Sequence, residues 1–304
     1  MQYRSVGLVL AALALAAPLS ALNNRSAVSI AGLDSNPCTP ASPCRSFGAA
    51  MLATAATGEI IALDTAGYGP FTIDRAVTVS GAAGVHAAIT TTSGDGITVN
   101  AAGAQVLVRN LVLVGPGGAN AIHGAAATEL RIVHCFIHGF TANGVLIDGA
   151  VGDASVDASD ILDNGASNGV SVTTSSGIVH ATVTNSKIEG SLNGVVAGQN
   201  SEVIVANSTI TGCTTGAQAS SVTGSGALHA DLMLESCVIA FNANGASANV
   251  FGGNNTATVT ISQNLFAFNP LGVASGGGVV LSFANNRFMG NGIDGDPFAP
   301  ATFK

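Results

Sequence analysis

The sequence predicts an all-β solenoid in which successive coils of the chain lie on one another, and three observations predict it. An apolar position, here called the anchor, recurs at intervals of 22 to 29 residues. Alternate residues before each anchor are apolar, and an Asn-Gly pair or a weaker copy follows several anchors. Such a period is typical of stacked repeats. The anchors are Leu113, Ile137, Ile161, Ile188, Ile210, Ile239, Phe266 and Phe288.

A strand with one buried face precedes each anchor. The residues five and seven positions before the anchor are apolar in every repeat, whereas polar residues are frequent between them. Alternation with a period of two indicates a strand with one buried face. Ile132, Val156 and Val183 should therefore form one unbroken column. The predicted inward residues are Val106, Val108, Leu130, Ile132, Ala154, Val156, Ala181, Val183, Val203, Val205, Leu232, Leu234, Val259, Ile261, Leu281 and Phe283.

Two corners are predicted in each repeat. One lies three positions before the anchor, and the other lies at pairs such as Asn143-Gly144 and Asn168-Gly169. Asn and Gly tolerate positive φ, so both places should be tight turns. The aligned residues of the first corner should stack into a ladder that satisfies backbone groups. They are Asn110, His134, Ala158, Asn185, Asn207, Ser236, Gln263 and Asn285.

A coil of this kind cannot bury its apolar face alone, so each strand should pair in parallel with its counterpart about 4.8 Å away. A β-propeller needs a longer period and a TIM barrel needs helices between strands. The one predicted helix, 45–57, should cap the first coil, because an open coil exposes unpaired strand edges. Phe47, Met51, Leu52 and Ala55 should share its inner side.

A family resemblance is carried by the Asn-Gly pairs, by the segment Asn36-Pro37-Cys38 to Pro43-Cys44-Arg45-Ser46-Phe47, and by Gly58-Glu59-Ile60 and Gly67-Tyr68-Gly69-Pro70. Over about residues 26–293 the chain resembles secreted bacterial right-handed parallel β-helix proteins of the pectate-lyase-like superfamily. The resemblance implies a right-handed coil and no established reaction. The predicted organisation is a signal peptide at 1–21, an N-terminal segment at 26–57, a β-helix of about nine to ten coils at 58–293 and a tail at 294–304.

Export is predicted from the N-terminus. Arg4 precedes an apolar run, 6–17, which is followed by small residues. This pattern is typical of a secretory signal peptide, and the run is too short to span a bilayer. The expected location is secreted, or periplasmic and cell envelope, with no membrane span.

The chain has five cysteines. In an exported chain Cys38 and Cys44 should form a disulfide across a short loop. Cys135 and Cys237 are four coils apart, beyond disulfide reach, so they should be buried core residues, as should Cys213.

Composition restricts the partner. Nine Lys and Arg stand against 17 Asp and Glu, which disfavours nucleic acid and anionic lipid. The chain has no Trp, which disfavours an aromatic platform for sugars. The expected partner is an unidentified extracellular polysaccharide or protein. Adsorption through Thr rows such as 90–92 ranks last.

The densest carboxylate group is the main candidate for chemistry. Asp148, Asp153, Asp157, Asp160 and Asp163 lie within 16 residues, with Arg131 nearby in the predicted stack. Paired carboxylates can act as acid and base on polysaccharides, and Asp153 and Asp157 could bind Ca²⁺. The alternative is a solvated turn and an outward strand face.

The sets of catalytic residues typical of polygalacturonase-like hydrolases do not occur in this sequence. The leading interpretation is therefore an exported, non-catalytic structural or interaction module without a cofactor. The alternative is a polysaccharide lyase or glycoside hydrolase. His134 should be structural, while His123 and His138 lie near corners.

Overall fold

The computed structural model describes residues 22–165, 167–175, 177–221, 228–252, 254–295 and 298–301. The predicted signal peptide lies outside the described residues, as does part of the predicted tail. The described chain forms one helix, α1 (Phe47–Ala53), and thirty short strands. These strands stack as a parallel β-helix with three faces, here called sheets 1, 2 and 3, so the predicted fold class is confirmed. Two long strands join sheets 1 and 2 into one 20-stranded hydrogen-bonded sheet, and sheet 3 has ten strands.

Each sheet is built from one strand of almost every coil. Sheet 1 contains β1 (Asn23–Val28), β2 (Thr54–Ala62), β5 (Val77–Gly81), β8 (Gln105–Arg109), β10 (Asn120–Val133), β12 (Asn143–Asp157), β15 (Val179–Thr184), β18 (Ser201–Ala206), β21 (His229–Glu235), β24 (Thr256–Ser262), β27 (Val279–Ser282) and β30 (Ala299–Pro300). Sheet 2 contains β4 (Phe71–Ile73), β7 (Ile97–Asn100), the first halves of β10 and β12, β14 (Asn168–Val172), β17 (Asn193–Ala197), β20 (Thr215–Ser221), β23 (Asn244–Val250), β26 (Leu271–Gly276) and β29 (Ile293–Gly295). Sheet 3 contains β3 (Ala66–Tyr68), β6 (Ala87–Thr90), β9 (Val112–Val114), β11 (Phe136–His138), β13 (Asp160–Leu162), β16 (Lys187–Glu189), β19 (Thr209–Thr211), β22 (Val238–Ala240), β25 (Leu265–Ala267) and β28 (Arg287–Met289).

The core is a set of apolar columns that run along the axis. Ile132 pairs with Val156, which pairs with Val183, and all three side chains are almost completely buried. In sheet 3 every anchor from Leu113 to Phe266 is fully buried. The predicted column is confirmed. Parallel pairing in one register repeats the apolar face coil after coil, and each coil buries the face of its neighbour.

The last coil departs from the predicted alternation by one residue. Val280 pairs with Val259, and Ser282 pairs with Ile261. Leu281 therefore lies at an outward position, and the prediction that Leu281 is part of the core is wrong. The sheets also continue past the predicted end of the solenoid, because Ala299 pairs with Leu281. A one-residue slip in pairing exchanges the two faces of a strand, and this explains why Leu281 points outward.

The corner before each anchor has the predicted backbone but not the predicted ladder. Residues from Asn110 to Gln263 at this position have φ between 47° and 59°. Their side chains are exposed or half-exposed, so the internal ladder predicted there is wrong. The ladder lies one residue later. The Ser159 backbone N–H donates to Ser186 Oγ at 3.1 Å, and the Ser186 N–H donates to Ser208 Oγ at 3.2 Å.

The Asn-Gly pairs do not form positive-φ turns. Asn143, Asn168 and Asn193 begin strands of sheet 2, and their amides form a hydrogen-bonded ladder, with Asn168 Nδ2 donating to Asn143 Oδ1 at 2.9 Å. A Cβ on Gly144 would lie 2.6 Å from the carbonyl oxygen of Gly169 in the next coil. Glycine is present at these places because neighbouring coils approach closely there, and not because φ is positive.

A disulfide-closed loop and the short helix α1 cover the first coil. Cys38 and Cys44 are bonded, as predicted. Asp34 accepts hydrogen bonds from the backbone N–H groups of Arg45 and Ser46, and Ser46 caps the helix by accepting from the Ala49 N–H at 3.2 Å. These contacts fix where the helix begins.

The helix is shorter than the predicted range 45–57, because the chain becomes strand β2 at Thr54. Phe47 packs against Tyr68 and stacks on Phe71. Leu52 is 75% exposed, so its predicted place on the buried side is wrong. The buried residues with which the helix covers the coil are Phe47, Ala50 and Met51.

Replacing Gly48 with alanine should stabilise this cap. Gly48 is exposed within α1, and the nearest atom to an added Cβ lies 4.0 Å away. Alanine removes backbone freedom from the unfolded chain, so the free energy of unfolding should rise by about 0.5–1 kcal/mol. Urea unfolding of the Gly48→Ala variant measures the change. A decrease would contradict the described helix.

The three remaining cysteines, Cys135, Cys213 and Cys237, are free and buried, as predicted. Burial raises the pKa of the Cys135 thiol to about 11, which leaves it protonated and unreactive at neutral pH. Within the described residues no helix is both long enough and apolar enough to cross a bilayer.

Candidate functional site

The outward face of sheet 1 carries its side chains in straight rows. One row, here called the acidic row, consists of residues paired coil to coil, and the middle row lies two residues further along each strand. Alternate residues of a strand share one face, so both rows point outward together. The acidic row is Glu129, Asp153, His180, Glu202 and Asp231, and the middle row is Arg131, Ser155, Thr182, Ile204, Met233 and Thr260.

Two shallow grooves open on this face. The first groove, of about 240 Å³, is lined by residues that include Thr78, Gln105, Glu129 and Arg131. The second groove, of about 290 Å³, lies further along the axis. It is lined by eleven residues: His180, Ala181, Thr182, Glu202, Val203, Ile204, Asp231, Leu232, Met233, Thr258 and Thr260. Concave places that combine apolar walls with a few polar groups are typical of binding sites.

The second groove has a polar edge and an apolar floor. His180, in the acidic row, lies between two carboxylates, with Nδ1 3.5 Å from Asp153 Oδ1 and Nε2 3.6 Å from Glu202 Oε2. Ile204, in the middle row, has 43% of its surface exposed. The groove therefore offers hydrogen-bond acceptors along one side and an apolar surface along its middle.

The structure distributes the five predicted aspartates over different faces. Asp153 lies in the acidic row of sheet 1. Asp157 lies four residues further along the same strand, where it accepts hydrogen bonds from Thr184 and Asn185. Those bonds lower the pKa of the Asp157 carboxyl. Four residues of strand are about 13 Å, so Asp153 and Asp157 do not approach one common ion.

The other three aspartates lie elsewhere. Asp160 is an outward residue of sheet 3 beside Lys187, and Asp163 lies at the following corner, 3.7 Å from His138 Nδ1. Asp148 belongs to sheet 2. The candidate Arg131 lies in the middle row of sheet 1, with Nε 3.9 Å from Glu129 Oε1. The predicted cluster is therefore not one site.

Asp148 belongs to a stack with His123 and Asp95. His123 Nδ1 lies 2.7 Å from Asp95 Oδ2, and its Nε2 lies 2.7 Å from Asp148 Oδ1. Asn120 Nδ2 donates to the other oxygen of Asp95 at 2.7 Å. Both ring nitrogens are occupied, so the imidazole has no free lone pair with which to accept a proton from a substrate. The stack fastens three coils together.

Burial opposes the charge of the His123 imidazolium, but hydrogen bonds to Asp148 and Asp95 outweigh it, so the pKa of His123 lies above its ordinary value. A raised pKa stabilises the fold at pH values below the ordinary pKa of about 6.5, and this stabilisation is lost as pH rises through the folded value.

The His123→Gln variant should therefore lose more stability in acid than in base. At about pH 5.5 the free energy of unfolding should fall by about 1–3 kcal/mol, as expected for hydrogen bonds to charged groups. The loss should be smaller at about pH 8.5. Chemical unfolding at both pH values measures it, with His138→Gln, at a half-exposed histidine, as the control. An equal loss at both pH values would contradict a charged His123.

The structure also presents an aromatic pair that the sequence did not reveal. Phe241 and Phe268 are exposed at the corners after β22 and β25, and their rings stack 5.3 Å apart. Both have positive φ, of 59° and 55°. Their corner position is occupied by Gly139, Gly190 and Gly212 in other coils. The repeated motif Phe-Asn-x-x-Gly at 241–245 and 268–272 was the available signal.

Family membership follows from the sequence of the central coils. A family model described as a right-handed beta helix region matches residues 120–293, more than half of the chain. The chain belongs to the right-handed β-helix family. This confirms the right-handed coil that the resemblance implied. No curated protein matches the sequence of this β-helix protein significantly.

Solved structures share the fold at low identity. Pectate lyase Pel9A is 13% identical with a TM-score of 0.66, covering 92% of this chain and 80% of its own. XylC in complex with xylose is 10% identical with a TM-score of 0.58, covering 86% and 70%. The A-module of the Azotobacter vinelandii mannuronan C-5 epimerase AlgE4 is 13% identical with a TM-score of 0.56, covering 82% and 91%. At such identities the likeness shows the fold alone.

Proposed function

We propose that this β-helix protein is an exported, non-catalytic interaction module that binds a neutral polysaccharide along the outward face of sheet 1. The observation that carries the proposal is the second groove, where the acidic row runs beside the exposed Ile204 and the half-buried Met233. A sugar ring has hydroxyl groups at its edge and C–H groups on its faces. Carboxylates and threonine hydroxyls can hydrogen-bond the edge, while the apolar floor contacts a face.

The charge of the face favours a neutral chain. The acidic row has four carboxylates and one imidazole. An anionic polysaccharide would be repelled by this row. Among the structural neighbours, XylC is described in complex with xylose, a neutral sugar. The straight rows also suit an extended polymer, because equivalent groups repeat about every 4.8 Å along the axis.

Export is part of the proposal. It is supported by the signal sequence predicted at 1–21 and by the disulfide between Cys38 and Cys44. Disulfides persist in oxidising compartments such as the periplasm and the extracellular space. Mass spectrometry of the chain recovered from the producing cell should find the first residues removed.

The test is a binding screen of the purified mature protein against neutral polysaccharides, such as xylan and glucans, and anionic ones, such as polygalacturonate and alginate. Saturable binding to a neutral polymer is expected. Ile204→Asp should weaken it at least ~10-fold, because a charge replaces apolar contact at the centre of the groove. The matched control is Val238→Asp, which changes a similarly exposed strand residue on sheet 3. Equal affinity of both variants would contradict the proposal.

The alternative, a polysaccharide lyase or hydrolase, is tested in the same screen. Each mixture is assayed for new reducing ends and for unsaturated products. Cleavage that is lost in Asp157→Asn or Asp160→Asn would establish the enzyme and overturn the non-catalytic part of the proposal. Absence of products together with saturable binding is the expected result.

A further inference from the structure

We propose that Glu202, His229 and Asp231 form a binding site for a divalent transition metal, and that Zn²⁺ fits it best. One nitrogen of His229 and one oxygen of each carboxylate all lie within 4.8 Å of one another. The site is at the edge of the second groove. It does not depend on polysaccharide binding.

Strand register brings the three donors together. Glu202 of β18 pairs with Asp231 of β21, so the two carboxylates are neighbours in adjacent coils. His229 lies two residues before Asp231 on the same strand, so its side chain emerges on the same face. The three donors therefore come from two paired strands of a rigid sheet, which limits the cost of bringing them to one ion.

The charges around the site favour a cation. Glu202 lies between two imidazoles, with Oε2 3.6 Å from His180 Nε2 and Oε1 3.9 Å from His229 Nε2. Within the described part of the chain, no Lys or Arg forms a salt bridge with Glu202 or Asp231. Two adjacent carboxylates without a permanent positive charge repel each other, and a divalent ion between them would remove that repulsion.

The donor atoms select the metal. Zn²⁺ accepts histidine nitrogen and carboxylate oxygen at about 2.0–2.2 Å, usually with four ligands. Ca²⁺ takes six to eight oxygen ligands, and Mg²⁺ prefers oxygen ligands and keeps much of its water. A mixed nitrogen and oxygen set therefore favours Zn²⁺ or a related transition metal. His180 Nε2 lies 3.6 Å from Glu202 Oε2, where it can hold that carboxylate in place.

The test titrates the tag-free mature protein with ZnCl₂ alone in an isothermal calorimeter. One saturable site per chain is expected. His229→Gln and Glu202→Gln should each weaken it at least ~10-fold. His138→Gln, which changes a half-exposed histidine beside Asp163 on another face, should leave the affinity unchanged. Circular dichroism should show that all three variants are folded.

Four results would overturn the proposal: no saturable Zn²⁺ binding to the unchanged protein, undiminished binding in His229→Gln, an equal loss in His138→Gln, or Ca²⁺ binding more tightly than Zn²⁺. Co²⁺ provides a second readout, because its visible absorption reports the ligand set and should change in His229→Gln. The metal is titrated without polysaccharide, so failure of this proposal and failure of the proposed function are distinguishable.

Discussion

Replacing Gly169 with alanine is expected to lower the free energy of unfolding by about 3 kcal/mol, the upper end of the range typical of overpacking a closely packed interior. An added Cβ would lie 2.6 Å from Ile188 Cγ2 and 2.7 Å from the carbonyl oxygen of Gly194. The carbonyl belongs to the backbone of the next coil and cannot rotate away. Chemical unfolding followed by circular dichroism measures the loss.

Gly69→Ala is the control for this experiment. Gly69 is exposed, no atom lies within 4 Å of an added Cβ, and its φ is not positive. Its stability should change by less than about 0.5 kcal/mol, as for surface substitutions generally. If Gly169→Ala were equally harmless, the coils could not approach as closely as described, and the explanation of the Asn-Gly pairs would be wrong.

Replacing Asn269 with alanine is expected to lower the free energy of unfolding by about 2–5 kcal/mol, because several buried groups lose partners together. Asn269 Oδ1 accepts from the Asn242 backbone N–H at 3.0 Å. Its Nδ2 donates to the Ile239 carbonyl oxygen at 2.9 Å and to Asn291 Oδ1 at 3.2 Å. The side chain is 1% exposed, so water cannot replace these bonds.

Asn100→Ala is the matched control, since Asn100 is an exposed strand residue. Thermal unfolding of both variants should show a large decrease in Tm for Asn269→Ala and little change for Asn100→Ala. Equal melting temperatures would mean that the amide ladder does not hold the coils together, and that the apolar columns alone determine stability.

The sheets and their apolar columns could be predicted from the sequence, because they depend on a pattern of apolar residues that every coil repeats. The anchors and the alternation before them correctly placed Ile132, Val156 and Val183. Local backbone geometry was harder to predict. Asn-Gly pairs are common both in positive-φ turns and at close approaches between coils, and the identity of the two residues does not tell which of these a given pair forms. Leu52 was misplaced because it lies about 100° around the helix from Met51, on the side of the exposed Gly48 and away from the buried stripe. The helix stops at Ala53 because the chain pairs with the first strand from Thr54 onward.

The site was less predictable than the fold. The five aspartates are close in sequence, but a coil turns through three faces in about 24 residues, so neighbours in sequence separate in space. Each residue of the acidic row lies eight residues before an anchor, which is one position before the first of the two predicted inward residues. The repeat pattern therefore already predicted that these residues point outward. Its members come from five coils of unequal length, so Glu202 and Asp231 become neighbours only when the register is known.

The most direct test of whether the outward face of sheet 1 binds the polysaccharide is a carboxyl footprint of the protein with and without its best-binding polysaccharide. A water-soluble carbodiimide labels exposed carboxylates, and peptide mass spectrometry locates the labels. Bound polysaccharide should protect Glu202 and Asp231 on sheet 1, while Asp160 and Glu189 on sheet 3 keep their labelling. Protection of the sheet 3 carboxylates, with Glu202 and Asp231 still labelled, would place the polymer on another face and contradict the account.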